Sequence, residues 1–132
     1  MKILVTGGAG FIGSHIAEYL VQRGDNVTVL DNLSNGKIQN ISKVSDDINF
    51  VNGDVRDYNL IEQLVKNVDG VFHEAALVSV PESFKMQNEY FDVNVNGTEN
   101  ILKLAKEYGF KIVYASSSSV YGNPKSVPIK ED

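Results

Sequence analysis

The chain has no cysteine, so disulfide bridges and thiolate metal sites are excluded, and a reducing compartment such as the cytoplasm suits it. Basic residues are in deficit: 12 Lys and Arg stand against 17 Asp and Glu, for a formal net charge of −5. A nucleic-acid or anionic-membrane surface needs a basic face to meet phosphate, and this balance argues against both. Histidine is scarce. His15 falls on an expected helix and His73 at the end of an expected strand, and no acid or second histidine stands at ligand spacing from either. No metal is therefore expected, and both histidines read as packing or surface residues. Long hydrophobic runs are missing too. The opening Ile3-Leu4-Val5 is stopped at once by glycines, too short for a signal peptide or a membrane helix. A soluble, cytoplasmic chain is the expectation. Asn40-Ile41-Ser42 and Asn96-Gly97-Thr98 then match the glycosylation pattern by chance.

What is present is a globular composition, 42% hydrophobic and 22% charged, in 132 residues, a length that suits one domain. Short apolar runs alternate with helical patterns. Lys2 to Thr6, Asn26 to Leu30, Ile48 to Val51, Gly70 to His73 and Phe110 to Ala115 read as strands. Phe11 to Gln22 reads as a helix with Ile12, Ile16, Ala17 and Leu20 inward, ended by Gly24. Asp57 is expected to cap a helix to about Asn67, with Leu60, Ile61, Leu64 and Val65 inward. A long helix is expected from Glu82 to Tyr108, with Asn94, Gly97, Ile101 and Leu104 on one face and Gly109 as its cap. Asp31 to Ser45 reads mostly as loop. Strand–helix alternation implies a parallel sheet covered on both faces. Right-handed crossovers give the strand order 3-2-1-4-5, a doubly wound, Rossmann-like α/β fold whose cleft opens over the strand C-termini.

The distinctive loops all fall at those strand ends. Thr6-Gly7-Gly8-Ala9-Gly10-Phe11-Ile12-Gly13 joins the first strand to the first helix. Gly7 permits a tight turn, Gly10 lets a pyrophosphate approach the backbone, and Gly13 lets the helix pack close. The helix start, at Phe11 and Ile12, offers free N–H groups and partial positive charge to that pyrophosphate. A P-loop is excluded, because no G-K-[ST] follows. Asp31 ends the second strand, where a carboxylate accepts from adenosine ribose hydroxyls and repels a 2′-phosphate, favouring NAD over NADP. Asn32, Ser34, Asn35 and Gly36 line the same adenosine end. Each position also has a plainer reading as turn, loop or cap, and the strand before and helix after the glycines weigh against it.

With these motifs in place, TGGAGFIGSH, DNLSNG, GDVRD, HEAA, NVNGT and SSSSVYG together resemble the extended short-chain dehydrogenases/reductases, the NAD-dependent epimerase/dehydratase family, and within it the UDP-glucose 4-epimerases and their nucleotide-sugar relatives. The likeness runs from Met1 almost to Asp132 and rests on six motifs in order. It implies NAD as cofactor and a UDP-sugar as substrate. It implies that Asp54 and Val55 lie beside the adenine and that Ala75 and Ala76 border the nicotinamide side. By the same resemblance Asn94 reaches back toward the cofactor and Ser116 lies against its nicotinamide half. Ser117, aligned on Val120-Tyr121-Gly122, takes the catalytic serine or threonine position, where its hydroxyl meets the sugar hydroxyl being oxidised. Ser118 and Ser119 stand where sugar dehydratases carry an acidic pair, which favours epimerisation. The family's chemistry is transient oxidation at C4 of the sugar, with a tyrosine as base and a nearby lysine lowering its pKa.

The sequence departs from the family in one respect. Tyr121-Gly122-Asn123-Pro124-Lys125 spells Y-x-x-x-K, but Gly122 and Pro124 break any helix that would bring the two side chains to one face. The helical tyrosine–lysine pair is expected beyond Asp132, together with the second half of the sheet and the sugar-binding lobe. Residues 1–132 are thus expected to be a partial NAD-binding domain, nearly inactive alone, with the fifth strand as an exposed edge. Some epimerases carry a lysine near Val78 that is absent here. The family often dimerises through the long helix and the tyrosine helix, so a homodimer is expected only of the longer parent. A decarboxylase, dehydratase or reductase acting on a nucleotide sugar, or a non-catalytic NAD-binding module, are the competing readings.

Overall fold

The structure, a computed structural model, describes residues 1–131. Five strands, β1 (Lys2–Thr6), β2 (Asn26–Asp31), β3 (Ile48–Asn52), β4 (Gly70–His73) and β5 (Lys111–Tyr114), form one sheet in the order β3-β2-β1-β4-β5. Every neighbouring pair is parallel, with Thr6 level with Leu30 on one side and His73 on the other. The sheet order and its doubly wound class are those the alternation predicts.

Each strand feeds both faces because successive side chains point opposite ways. Ile3 and Val5 of β1 join Val27 and Val29 of β2 under α1 (Phe11–Gln22), with Ala17 and Leu20 closing that core. Leu4, Leu30 and Val71 face the other way, against α2 (Tyr58–Val65) and α5 (Gly97–Tyr108), through Ile61, Val65, Ile101 and Leu104. Asp57 caps α2 by accepting the Leu60 amide at 3.0 Å. Gly109, at φ 79°, ends α5 in the left-handed conformation that a side chain resists.

Three local expectations need correction. Ile12 does not face inward: it is 59% exposed, and the buried face of α1 is Gly13, Ser14, Ala17 and Leu20. Gly13 must lie against the Gly7–Gly8 turn, and at 100° per residue that choice turns Ile12 outward. The stretch after β2 is not all loop, since Ile38–Val44 winds into a short 3₁₀ helix that buries Ile41 and Val44 against α1. The long helix is also broken. A turn of helix, α3 (Val80–Ser83), stops before Met86, whose φ of −123° and ψ of 43° lie outside the helical region. The chain restarts as α4 (Gln87–Phe91), widens into a π turn at Asp92–Asn96 and continues as α5. Gly97 lets this helix press on Val55: a Cβ there would stand 2.6 Å from Val55 Cγ2. The far edge is thinly covered, and Val113 and Tyr114 of β5 are each more than half exposed. Among the described residues no helix is long and apolar enough to cross a membrane.

Candidate functional site

Above the C-terminal ends of β1, β2, β3 and β4 lies an open cleft. Its walls come from four loops. Gly7 and Gly10 stand at one side, Asp31, Asn32, Ser34, Asn35 and Gly36 at the next, then Asp54 and Val55, and finally Ala75 and Ala76. The sequence thus places eleven of its site residues in one cavity. Leu30, Gly53, Glu74, Leu77 and Val93 also line it and were not anticipated. Gly53 and Glu74 lie inside the GDVRD and HEAA motifs without having been singled out, whereas Leu30, Leu77 and Val93 belong to no motif and are brought in by the fold alone.

The glycine loop is folded back onto the sheet. The Gly7 amide donates to the Leu30 carbonyl at 2.8 Å, and Gly7 takes φ 67°. A Cβ there would stand 2.6 Å from the Ala75 amide nitrogen. At Gly13 a Cβ would collide with the Gly7 carbonyl oxygen and stand 2.8 Å from Gly8 Cα. The bond from Ser14 N–H to Gly10 O is 3.1 Å, so the amides of Phe11, Ile12 and Gly13 precede the first helical hydrogen bond. No side chain caps them. The side chains of Phe11 and Ile12 point away from the cleft, into an apolar groove shared with His15, Ile16, Tyr19 and Phe72. Phe11, Ile12 and Gly13, all anticipated at the site, are not among the residues that line the cleft.

Asp31 is 7% exposed and holds two loops together. One carboxylate oxygen accepts the Ala9 amide at 3.0 Å and the other accepts the Leu33 amide at 2.8 Å. A carboxylate has about four acceptor sites, so room is left for a ribose diol. Leu33 takes φ 58°, a conformation costly for a residue with a branched side chain, and the Asp31 bond fixes it there. Ala9 is pinned from its other side as well, since its carbonyl accepts from Lys37 N–H at 2.9 Å and Asn40 Nδ2 at 2.7 Å. Sequence reasoning did not find this role of Asn40, which has no local signal.

Asp54 lies across the cleft floor. Arg56 grips both of its oxygens, at 2.9 Å and 2.8 Å, and Asn32 Nδ2 donates to it at 2.9 Å. The Arg56 hydrogen bonds hold its carboxyl down at about 2, well below the ordinary range. Arg56 also reaches Asp92 at 3.7 Å, tying the floor to the π turn. Burial pushes the Glu74 carboxyl upward. Among the described residues that line the cleft there are three carboxylates and no lysine or arginine, which disfavours an extra phosphate there.

Three further anticipated residues, Asn94, Ser116 and Ser117, also stand apart from the lining. The Asn94 carboxamide is spent on the Leu77 backbone, accepting from its N–H at 2.8 Å and donating to its carbonyl at 2.9 Å. Ser116 and Ser117 follow β5 and are exposed. Ser117 Oγ accepts the Ser119 amide at 3.2 Å and opens a 3₁₀ turn, Ser118–Tyr121. Gly122, at φ 63°, ends that turn, so Tyr121 and Lys125 share no helix.

Residues 3–132 match the model of the family described as "NAD dependent epimerase/dehydratase family". A UDP-glucose 4-epimerase of Lacticaseibacillus casei is 43% identical over 99% of this chain and 40% of its own length. A UDP-N-acetyl-alpha-D-glucosaminuronate decarboxylase of Bacillus cytotoxicus is 40% identical over 99% of this chain and 40% of its own. The crystal structure of a UDP-glucose-4-epimerase from Stenotrophomonas maltophila with bound NAD and formylated UDP-arabinopyranose superposes with a TM-score of 0.90 at 38% identity, covering 99% of this chain and 41% of that one. The chain therefore spans about two fifths of the length of these relatives.

Proposed function

Because the chain belongs to the NAD dependent epimerase/dehydratase family, we propose that its cleft binds NAD and that the whole protein epimerises a UDP-sugar at C4. The supporting observation is the pairing of an uncapped helix start with Asp31 at the end of the neighbouring strand. The amides of Phe11, Ile12 and Gly13 would hold the pyrophosphate, with Gly10 leaving it room to approach. Asp31 would take the adenosine ribose, Asn32, Ser34, Asn35 and Gly36 its surroundings, and Asp54 and Val55 the adenine. Ala75 and Ala76 would border the nicotinamide side. Asn94 would act on that side through the Leu77 backbone that it clamps. Bound there, NAD supplies a hydride acceptor and donor for the sugar carbon. Ser116 would lie against its nicotinamide half. Ser117 would donate to and accept from the hydroxyl at that carbon, orienting it for proton removal.

Titration calorimetry with NAD and NADP tests the cofactor reading. NAD is expected to bind at least tenfold more tightly, a difference of about 1.4 kcal/mol. Equal affinity, or none for either, refutes it. Decarboxylation of a UDP-sugar acid is the competing reaction, favoured by the 40% identity to the Bacillus cytotoxicus decarboxylase. Interconversion of UDP-glucose and UDP-galactose by the whole protein supports epimerisation. Carbon dioxide release from a UDP-glucuronate-type substrate without interconversion replaces it.

A further inference from the structure

His73 is 2% exposed and lies between two threonines that come from distant parts of the chain. Its Nδ1 is 2.6 Å from Thr6 Oγ1 on β1, and its Nε2 is 2.9 Å from Thr98 Oγ1 on α5. The directions of these bonds follow from the ends of the chain. Thr98 Oγ1 stands 2.7 Å from the Asn94 carbonyl, which can only accept, so the Thr98 proton is committed there. Thr98 must then accept from His73, and Nε2 carries the hydrogen. Burial holds His73 well below its ordinary pKa, so the ring is neutral and Nδ1 is bare. Nδ1 accepts from Thr6, and Thr6 in turn accepts the Ala75 amide at 3.3 Å. The opposite tautomer would turn the Thr98 proton away from Asn94 and strand that of Thr6.

We infer that His73 is a positioning residue, fixed as the Nε2–H tautomer at the centre of a one-way chain from the Ala75 amide to the Asn94 carbonyl. The chain joins β1, β4 and the π turn behind the cleft. Ala75 hangs from its donor end, pressed against Gly7. Asn94 forms its acceptor end and with its own carboxamide grips Leu77 on both backbone groups. The Ala75–Leu77 wall is therefore held at both ends by one network, and among the described residues no buried side-chain nitrogen or oxygen is left without a partner. That this wall borders NAD rests on the cofactor reading above. The network itself does not.

The test uses the 132-residue chain. Long-range proton–nitrogen correlation spectra of the imidazole report its tautomer directly. A neutral ring protonated on Nε2 is expected at pH 7, and protonation on Nδ1 overturns the inference. Thr98→Val removes the acceptor without changing the shape, whereas Thr98→Ser keeps the hydroxyl. Amide hydrogen exchange at Ala75 is expected to be at least tenfold faster in Thr98→Val and close to the parent in Thr98→Ser. Unchanged exchange in Thr98→Val refutes the network. NAD affinity should fall about tenfold in Thr98→Val and recover in Thr98→Ser, one lost hydrogen bond corresponding to a factor of that order. If exchange changes and affinity does not, the positioning role is refuted. If the parent takes no NAD, the cofactor reading fails, while tautomer and exchange still decide the network. If Thr98→Val does not fold, the tautomer of the parent decides it.

Discussion

Gly10 and Gly13 belong to one motif, yet replacing each by alanine should give opposite results. At Gly13 a Cβ collides with the Gly7 carbonyl oxygen and crowds Gly8 Cα and Gly7 C at 2.8 and 2.9 Å. All three are backbone atoms that cannot rotate away, so α1 must lift from the turn that it packs on. Overpacking of this kind costs about 1–3 kcal/mol, a large share of the roughly 5–15 kcal/mol by which such domains are stable. At Gly10 the φ of −73° and ψ of 176° suit alanine, and a Cβ meets only the Gly7 carbonyl oxygen, at 3.1 Å. Relief of that contact and loss of a favoured cap residue are offset by the lower entropy of the unfolded chain, about 0.4–1 kcal/mol. Gly10→Ala should thus be within about 1 kcal/mol of the parent, but its methyl fills the space before the uncapped amides of Phe11, Ile12 and Gly13. Urea unfolding read by circular dichroism and NAD titration separate the two effects. Gly13→Ala is expected to lower the unfolding midpoint. Gly10→Ala is expected to keep the midpoint and lose at least tenfold in NAD affinity, about 1.4 kcal/mol. A Gly13→Ala chain as stable as the parent, or a Gly10→Ala chain that binds NAD as well, would refute the division of roles.

Asp31→Ala strips the partners from the Ala9 and Leu33 amides. It should cost about 2 kcal/mol of stability, since hydrogen bonds to a charged group contribute about 1.5–3 kcal/mol, and it should weaken NAD binding. Equal urea midpoints would count against the carboxylate clamp. Arg56→Gln should lower stability by about 1 kcal/mol at pH 7, the upper range for a partly exposed pair with Asp54 24% exposed. The Asp54 carboxyl is depressed to about 2 when folded, so its contribution is complete above its ordinary pKa of 3.8 and is lost as pH falls toward 2. The gap between variant and parent should close over that window, and a gap constant from pH 7 to 2 would refute the pairing. His73 is depressed from 6.5 to about 4 by burial, so the unfolded chain binds the extra proton between those values. Stability is complete above pH 6.5 and falls toward pH 4, by at most about 3 kcal/mol. His73→Phe should lack that slope, and parallel pH profiles of the two proteins would contradict a buried neutral ring.

Much of this protein is written locally. The β-branched strands, the glycine turn and the caps at Asp57, Gly24 and Gly109 each depend on residues a few positions apart, so periodicity and turn chemistry reveal them. Right-handed crossovers then leave little freedom in the strand order, and Asp31 falls at the cleft because it ends β2. Five of the six family motifs are legible for the same reason, each lying in one loop at a strand end, while NVNGT falls within the π turn and the start of α5. What the tertiary structure decided involves partners far apart along the chain. Thr6 and His73 are 67 residues apart, and His73 and Thr98 are 25 apart. A histidine that looks like packing in the sequence thus becomes the middle of a network. Asn94 faces the Leu77 backbone because a π turn, absent from any periodic pattern, carries it there. Ile12 faces outward because close contact between Gly13 and the Gly7 turn fixes the rotation of α1 before hydrophobicity has a say. A sequence determines its hydrogen-bonding groups and the elements that carry them; which groups meet is decided only when those elements pack.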